Sequence, residues 1–245
     1  MNARTTKTLL KGTSAICLLL LIVGCINNPQ ERNAGVDASS FAAQEVADMG
    51  GIAGALVGQG LSKSSSAADT FRIDIQRFPF SYDSNTGAFF RERSLITSEG
   101  YQAVRRDTVI FRGASGETIA RPAFQTVATI RHIRHTTRAN GDHGTDVRLE
   151  VDGVLSAEGA DFVLVKNGAL TGTCDAEPFR SGAIEGVTRR FSDGAWHFPE
   201  SGRIWLDFPG RTCEVLYTGD GGATATVTEK ATGDVSVVTL QINVN

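Results

Sequence analysis

From Thr70 to the C-terminus, apolar and polar residues alternate, and turn residues interrupt them roughly every ten positions. Phe71, Ile73 and Ile75 alternate with Arg72, Asp74 and Gln76, the signature of a strand with one face buried. The phase then slips to Phe78, Phe80 and Tyr82, which predicts a bulge near Gln76 or a kink at Pro79. Further strands are predicted over 89–96, 103–111, 162–165, 169–174, 183–191, 203–208, 212–218, 223–229 and 235–244. The alternation is clearest where Val147, Leu149 and Val151 interleave with Arg148, Glu150 and Asp152. Between 123 and 138, Phe124, Val127, Ile130 and Ile133 recur every three residues, which suits neither element; the content of Thr, Val and Ile favours one long strand. Asn167-Gly168 and Asp193-Gly194 are hairpin dipeptides, and Pro209-Gly210, Gly219–Gly222 and Gly233-Asp234 punctuate the remainder. This pattern predicts an all-β fold, a single antiparallel β-sandwich or barrel-like domain over 70–245, long enough to bury a core.

The first 69 residues follow a different pattern. Ser40 is a candidate N-cap for a short helix over 41–49 that continues weakly into a glycine-rich stretch to Gly58. Gly50, Gly54 and Gly58 fall four apart, a small-residue face that permits close helix approach, although each glycine costs about 1 kcal/mol of helix propensity. The stretch reads as a helix or loose segment that packs on the domain or rests at a membrane surface, with a flexible spacer as the alternative. Asn27–Gln30 and Ser62–Ser66 are linker-like in composition. Residues 25–69 therefore read as a tether with a short helix.

The leader carries the most specific signal. Arg4, Lys7 and Lys11 precede an apolar run over 15–23, too short for the ~20 residues of a spanning helix. A basic start, a short apolar centre and a small residue make an export signal. It closes on Ile22-Val23-Gly24-Cys25, which resembles the lipobox of bacterial lipoproteins. The resemblance implies cleavage after Gly24, acylation of Cys25 by palmitate-type chains, and residues 1–24 as a removed signal peptide. It implies a membrane partner through the N-terminal lipid and a place in the cell envelope. Ile26 is not the aspartate that retains many such proteins in the inner membrane, so the outer membrane, facing the periplasm, is favoured. An ordinary secretory signal with an incidental Cys25 is the alternative. The resemblance covers the leader alone.

Composition narrows the rest. Apolar residues make up 41% and the mean hydropathy is −0.09, as in a folded domain rather than a disordered chain. Removing the leader's three basic residues from 24 leaves 21 against 27 acidic ones, a formal charge of −6 that argues against a nucleic-acid partner. Of four cysteines, Cys17 leaves with the leader and Cys25 is the lipid site, so Cys174 and Cys213 remain. In an oxidising compartment a disulfide between them is expected, worth about 4 kcal/mol for a loop of that length. A metal pair or a reactive thiol are the alternatives, and neither has histidine neighbours close by.

Catalytic strings are weak. Gly113-Ala114-Ser115-Gly116 lacks the spacing of a nucleophile elbow, and the segment from Gly58 to Ser64 lacks the glycine before lysine of a phosphate loop. His132 and His135 would share a helix face, but a strand sends them to opposite sides, so no metal and no cofactor is expected. No acidic residue occurs between Glu117 and Asp142. Arg131, His132, Arg134, His135 and Arg138 are therefore a candidate anionic-ligand edge for lipid phosphate or glycan. The plainer reading is a solvent-facing edge kept charged against unwanted pairing. Trp205 has outward parity, whereas Trp196 is expected in the core.

Three functions fit. The favoured one is a non-catalytic binding or structural module of the envelope, with envelope proteins, lipid or glycan as partners. The second is a carrier holding a lipid or small apolar ligand in a barrel. The third is an envelope hydrolase whose site is assembled from distant residues.

Overall fold

The computed structural model describes residues 34–58, 79–96, 102–140, 143–174 and 177–242. Gly24, Cys25, both linkers and the strand expected over 71–76 lie outside the described residues. One helix, α1 (Ala34–Gly58), precedes β1 (Ser81–Asp83), β2 (Ala88–Ile96), β3 (Gln102–Arg112) and β4 (Thr129–Asn140). There follow β5 (His143–Glu158), β6 (Asp161–Cys174), β7 (Glu177–Pro178), β8 (Ser181–Ser192) and β9 (Ala195–Trp196). The last four are β10 (Ser201–Asp207), β11 (Arg211–Tyr217), β12 (Gly222–Glu229) and β13 (Val235–Gln241). All thirteen strands join one antiparallel sheet in chain order from β1 to β13; β7 pairs only β6, and β9 pairs only β8. Among the described residues the sheet is not closed, and β1 and β13 are its ends. The all-β expectation holds, and the domain is a single curled sheet.

Alternation along each strand sorts the two faces. Val147, Leu149 and Val151 of β5 are buried, while Arg148 and Asp152 face water. The inner face wraps α1. Side chains from β4, β6, β8 and β11 all reach its backbone, so one helix is bonded from positions spread across most of the sheet.

The helix is longer than expected: 25 residues, about 38 Å. Ser40 lies inside it rather than at its start. Ala38, Ala42, Ala43 and Ala47 are strong helix formers and small enough to let the sheet approach. Phe41, Val46 and Met49 join a cluster with Leu149, Leu170, Ile204, Leu206 and Val215. Further along, Ile52, Leu56 and Val57 join a second cluster with Phe111, Phe124, Ile130 and Leu164. Each large apolar side chain so buried contributes about 1.5–3 kcal/mol. A helix apolar on nearly every side belongs in an interior, and the compact unit accordingly runs from Ala34 to Asn245. The helix is part of the β domain's core.

Two local expectations are corrected. Asn167-Gly168 is not a hairpin turn. Strand β6 runs straight through it, with a register shift against β8 between Lys166 and Gly168. Gly168 packs against β5 so closely that a Cβ there would lie 2.1 Å from the Glu150 carbonyl oxygen. The Asn167 side chain accepts a hydrogen bond from the Gly186 amide at 2.8 Å, which satisfies the bulge. The stretch 123–138 is likewise two things: Phe124 and Val127 are buried in a loop, and the strand starts only at Thr129. That division explains the odd period of three. Asp193-Gly194 does turn the chain, with φ of 53° and 81°.

Candidate functional site

Several charged residues are buried in the interior beside the two apolar clusters. On β3, Val109 and Phe111 face inward, and the same parity carries Asp107 and Arg105 inside. Asp107 Oδ1 accepts from Arg134 Nε at 2.7 Å and is hydrogen-bonded to His132 Nε2 at 2.9 Å. Its Oδ2 accepts from Arg91 Nη2 at 3.1 Å. Burial would raise the Asp107 pKa, but Arg134, His132 and Arg91 together hold it well below the usual range.

Arg134 bridges to the helix, donating from Nη1 to Glu45 Oε2 at 2.9 Å. Glu45 Oε1 also accepts from Arg105 at 2.5 Å and Arg138 at 3.2 Å. Desolvation pushes the Glu45 carboxyl up, and Arg105, Arg134 and Arg138 outweigh it, bringing its pKa to about 2. Burial lowers the His132 pKa, and hydrogen bonding to Asp107 offsets only part of this.

Further along α1 two cations meet the backbone. Lys166 Nζ donates to the Val46 carbonyl at 2.8 Å, and Arg189 Nη1 to that of Ala47 at 2.9 Å. Neither has a carboxylate partner among the described residues. Burial, then Arg189 and Arg134, push the Lys166 pKa well below the ordinary lysine value. Gly50 makes room for both: a Cβ there would sit 2.5 Å from Lys166 Nζ and 2.9 Å from Arg189 Cδ. The cavity lined by Met49, Ile130, His132, Val151, Gly153, Leu164 and Lys166 holds about 10 Å³, room for one water.

The five residues of the expected anionic-ligand edge do not form an edge. Strand β4 lies between β3 and β5, and strand geometry splits the set between two faces. Arg131 and His135 point outward to Glu150, at 2.9 Å, and Asp146, at 2.6 Å. His132 and Arg134 are buried on Asp107 and Glu45, and Arg138 reaches Glu45 while lying over the Phe41 ring. The acidic partners come from other elements, so the local run gave no hint of them.

The expected disulfide is not formed. Cys174 and Cys213 are both buried, and among the described residues no bond joins them. Cys213 pairs with Leu206, Leu206 with Gly182, and Gly182 with Leu170. Cys174 lies four residues beyond Leu170, roughly 13 Å along β6, where a disulfide tolerates at most about 7 Å between Cα atoms. Of the tryptophans, Trp205 is outward at 37% exposure, and Trp196 packs with Phe124 and Phe191.

Sequence reasoning missed Glu45, Asp107, Lys166 and Arg189. A signal existed for two of them: Asp107 shares the parity of Val109 and Phe111, and Lys166 that of Leu164. One exposed pair has catalytic composition, since Ser192 Oγ lies 2.7 Å from His197 Nε2. It closes the Asp193–Gly194 turn, and no carboxylate joins it among the described residues; acyl transfer needs such an orienting group and an oxyanion site. Compared with known protein families, curated proteins and solved structures, the chain matches none.

Proposed function

We propose that the protein is a lipid-anchored bacterial envelope lipoprotein whose β domain is a non-catalytic binding or structural module working through its outer surface. The observation that carries this reading is the helix inside the sheet. With α1 in place, the space beside Lys166 and His132 is about 10 Å³, whereas ligand pockets run to roughly 300 Å³ or more. A carrier needs that volume, and a hydrolase needs reactive groups open to substrate. The buried carboxylates here are already saturated by arginine.

The outer face supports the anchoring half of the proposal. Arg131–Glu150, Arg190–Glu158 and Arg203–Glu185 ion pairs stud it, where a membrane-spanning barrel would carry an apolar band. No helix among the described residues is long and apolar enough to cross a membrane. A water-facing domain of this kind is held at a membrane by a tail. Several acyl chains, at about 0.8 kcal/mol per buried methylene, hold it firmly. Membrane lipid is then the first partner, with envelope proteins or glycan meeting the outer surface and the outer membrane the favoured location.

The test is fractionation. Cys25→Ser should move the protein from the membrane to the soluble fraction with an unchanged far-UV spectrum. If the variant stays with the membrane, the anchor is not at Cys25 and the proposal fails.

A further inference from the structure

The sheet ends on β13, Val235-Ser236-Val237-Val238-Thr239-Leu240-Gln241, seven residues without a charge, a proline or a glycine. One edge of this strand is paired with β12 from Val235 to Gln241. Its other edge has no strand beside it among the described residues. Val235 and Val237 are 59% and 64% exposed. Sheet edges are ordinarily guarded by short length, lysine, proline or a bulge. The opposite end uses the first device, since β1 has three residues; β13 uses none. The surroundings differ as well. Ion pairs stud the outer face elsewhere, but beside β13 the outward residues of β12 are Thr224, Thr226 and Thr228.

We propose that β13 is a dimerisation edge, pairing antiparallel with β13 of a second copy so that one sheet continues across a two-fold axis at Val238. This specifies one surface of the binding module proposed above and rests on that reading. Unpaired N–H and C=O groups along an extended strand call for another extended backbone. Composition selects a copy of the same strand. With the axis at Val238, Val237 faces Thr239 of the second copy, Ser236 faces Leu240, and Val235 faces Gln241. A charged edge paired with itself brings like charges close together, which is destabilising; this strand has none to bring. A short, uncharged, β-branched segment is also the type that stacks on itself. Seven residues a side make a small interface, weak in dilute solution, and holding both copies on one membrane raises their effective concentration.

Two measurements test it. In sedimentation equilibrium of the Cys25→Ser mature chain up to roughly 100 µM, where a small interface is still populated, the mass should rise toward two chains. Val237→Lys should stay at one chain with an unchanged melting temperature, since Val237 is exposed. Thr239→Glu, also exposed and outward, is the second disrupting variant should the first fold poorly. On the lipidated protein, Val238→Cys should form a disulfide dimer under mild oxidation, because directly opposed strand residues lie about 4.5–5.5 Å apart. Val154→Cys, exposed on the outer face of β5, should not. A single-chain mass at every concentration, a dimer that survives both substitutions, or equal crosslinking at Val154 and Val238 overturns the proposal. None of these outcomes touches the dependence of membrane fractionation on Cys25, so the two proposals fail separately.

Discussion

Glu45 is the only charged side chain of α1 that is fully enclosed, and Arg105, Arg134 and Arg138 converge on it. Removing one partner of a buried ion pair typically costs about 3–5 kcal/mol, because the remaining charge loses its compensation. Glu45→Ala should therefore lower urea-unfolding stability by an amount of that order, and Glu45→Gln, which keeps acceptors, by less. The same residues set the acid limit. Glu45 and Asp107 have folded-state pKa values below their ordinary 4.5 and 3.8. The unfolded chain thus takes up protons first as pH falls; the stability Glu45 supplies is present above about 4.5 and lost toward about 2, and that of Asp107 is likewise lost below its ordinary 3.8. His132, held below its ordinary 6.5 by burial, starts the decline earlier, since below that pH the unfolded chain protonates first. Lys166 acts at the other end. Burial favours its neutral form, so stability should rise with pH on the approach to the ordinary lysine value of 10.5. Lys166→Met should remove that rise, up to about 1.4 kcal/mol per pH unit, and should be neutral or stabilising at pH 7. A Lys166→Met melting curve with the wild-type alkaline slope would count against a buried neutral amine.

At the scale of elements, α1 shows how a glycine can help a helix. By propensity Gly50→Ala gains about 1 kcal/mol, yet the added methyl would meet Lys166 Nζ and Arg189 Cδ at 2.5 and 2.9 Å. We expect Gly50→Ala to destabilise by about 1–3 kcal/mol, the usual cost of overpacking, with part of that loss recovered in combination with Lys166→Ala. Simple additivity of the two changes would show that the contact does not decide the cost. The regular spacing of Gly50, Gly54 and Gly58 was visible in the sequence and suggested close approach. What approaches Gly50 is a pair of long cations from β6 and β8, which no local pattern discloses. Strands were easier to read. The inward set Val147, Leu149 and Val151 follows from alternation alone, whereas Asn167-Gly168 has hairpin chemistry and becomes a bulge because pairing with β5 and β8 on both sides keeps the strand straight.

For the whole molecule, two apolar clusters pack on one helix, and no covalent crosslink joins Cys174 to Cys213 among the described residues. Reducing agent should leave the melting temperature unchanged. A drop of several degrees, as expected for the loss of a crosslink worth about 4 kcal/mol, would contradict the placement of these two thiols. The aromatic group Phe124, Phe162, Phe191 and Trp196 packs near the far end of the helix, with the Phe124 and Phe162 ring centroids 4.4 Å apart. Phe124→Ala should cost about 3–5 kcal/mol, because the loop that carries it covers the second apolar cluster.

The order of residues alone determined the all-β character, most strand positions, the turns at Asp193-Gly194 and Gly233-Asp234, and the outward placing of Trp205. These follow from period-two patterning and turn chemistry, which act over a few neighbours and are therefore written locally. Only the tertiary structure decided that α1 lies inside the sheet, that Arg134 spends its charge on Asp107 and Glu45, and that the two cysteines stay apart. Each of these joins residues tens of positions distant, and what joins them is the need to compensate charge and fill volume in a shared interior. A run of arginines looks the same in sequence whether water or a buried carboxylate receives it.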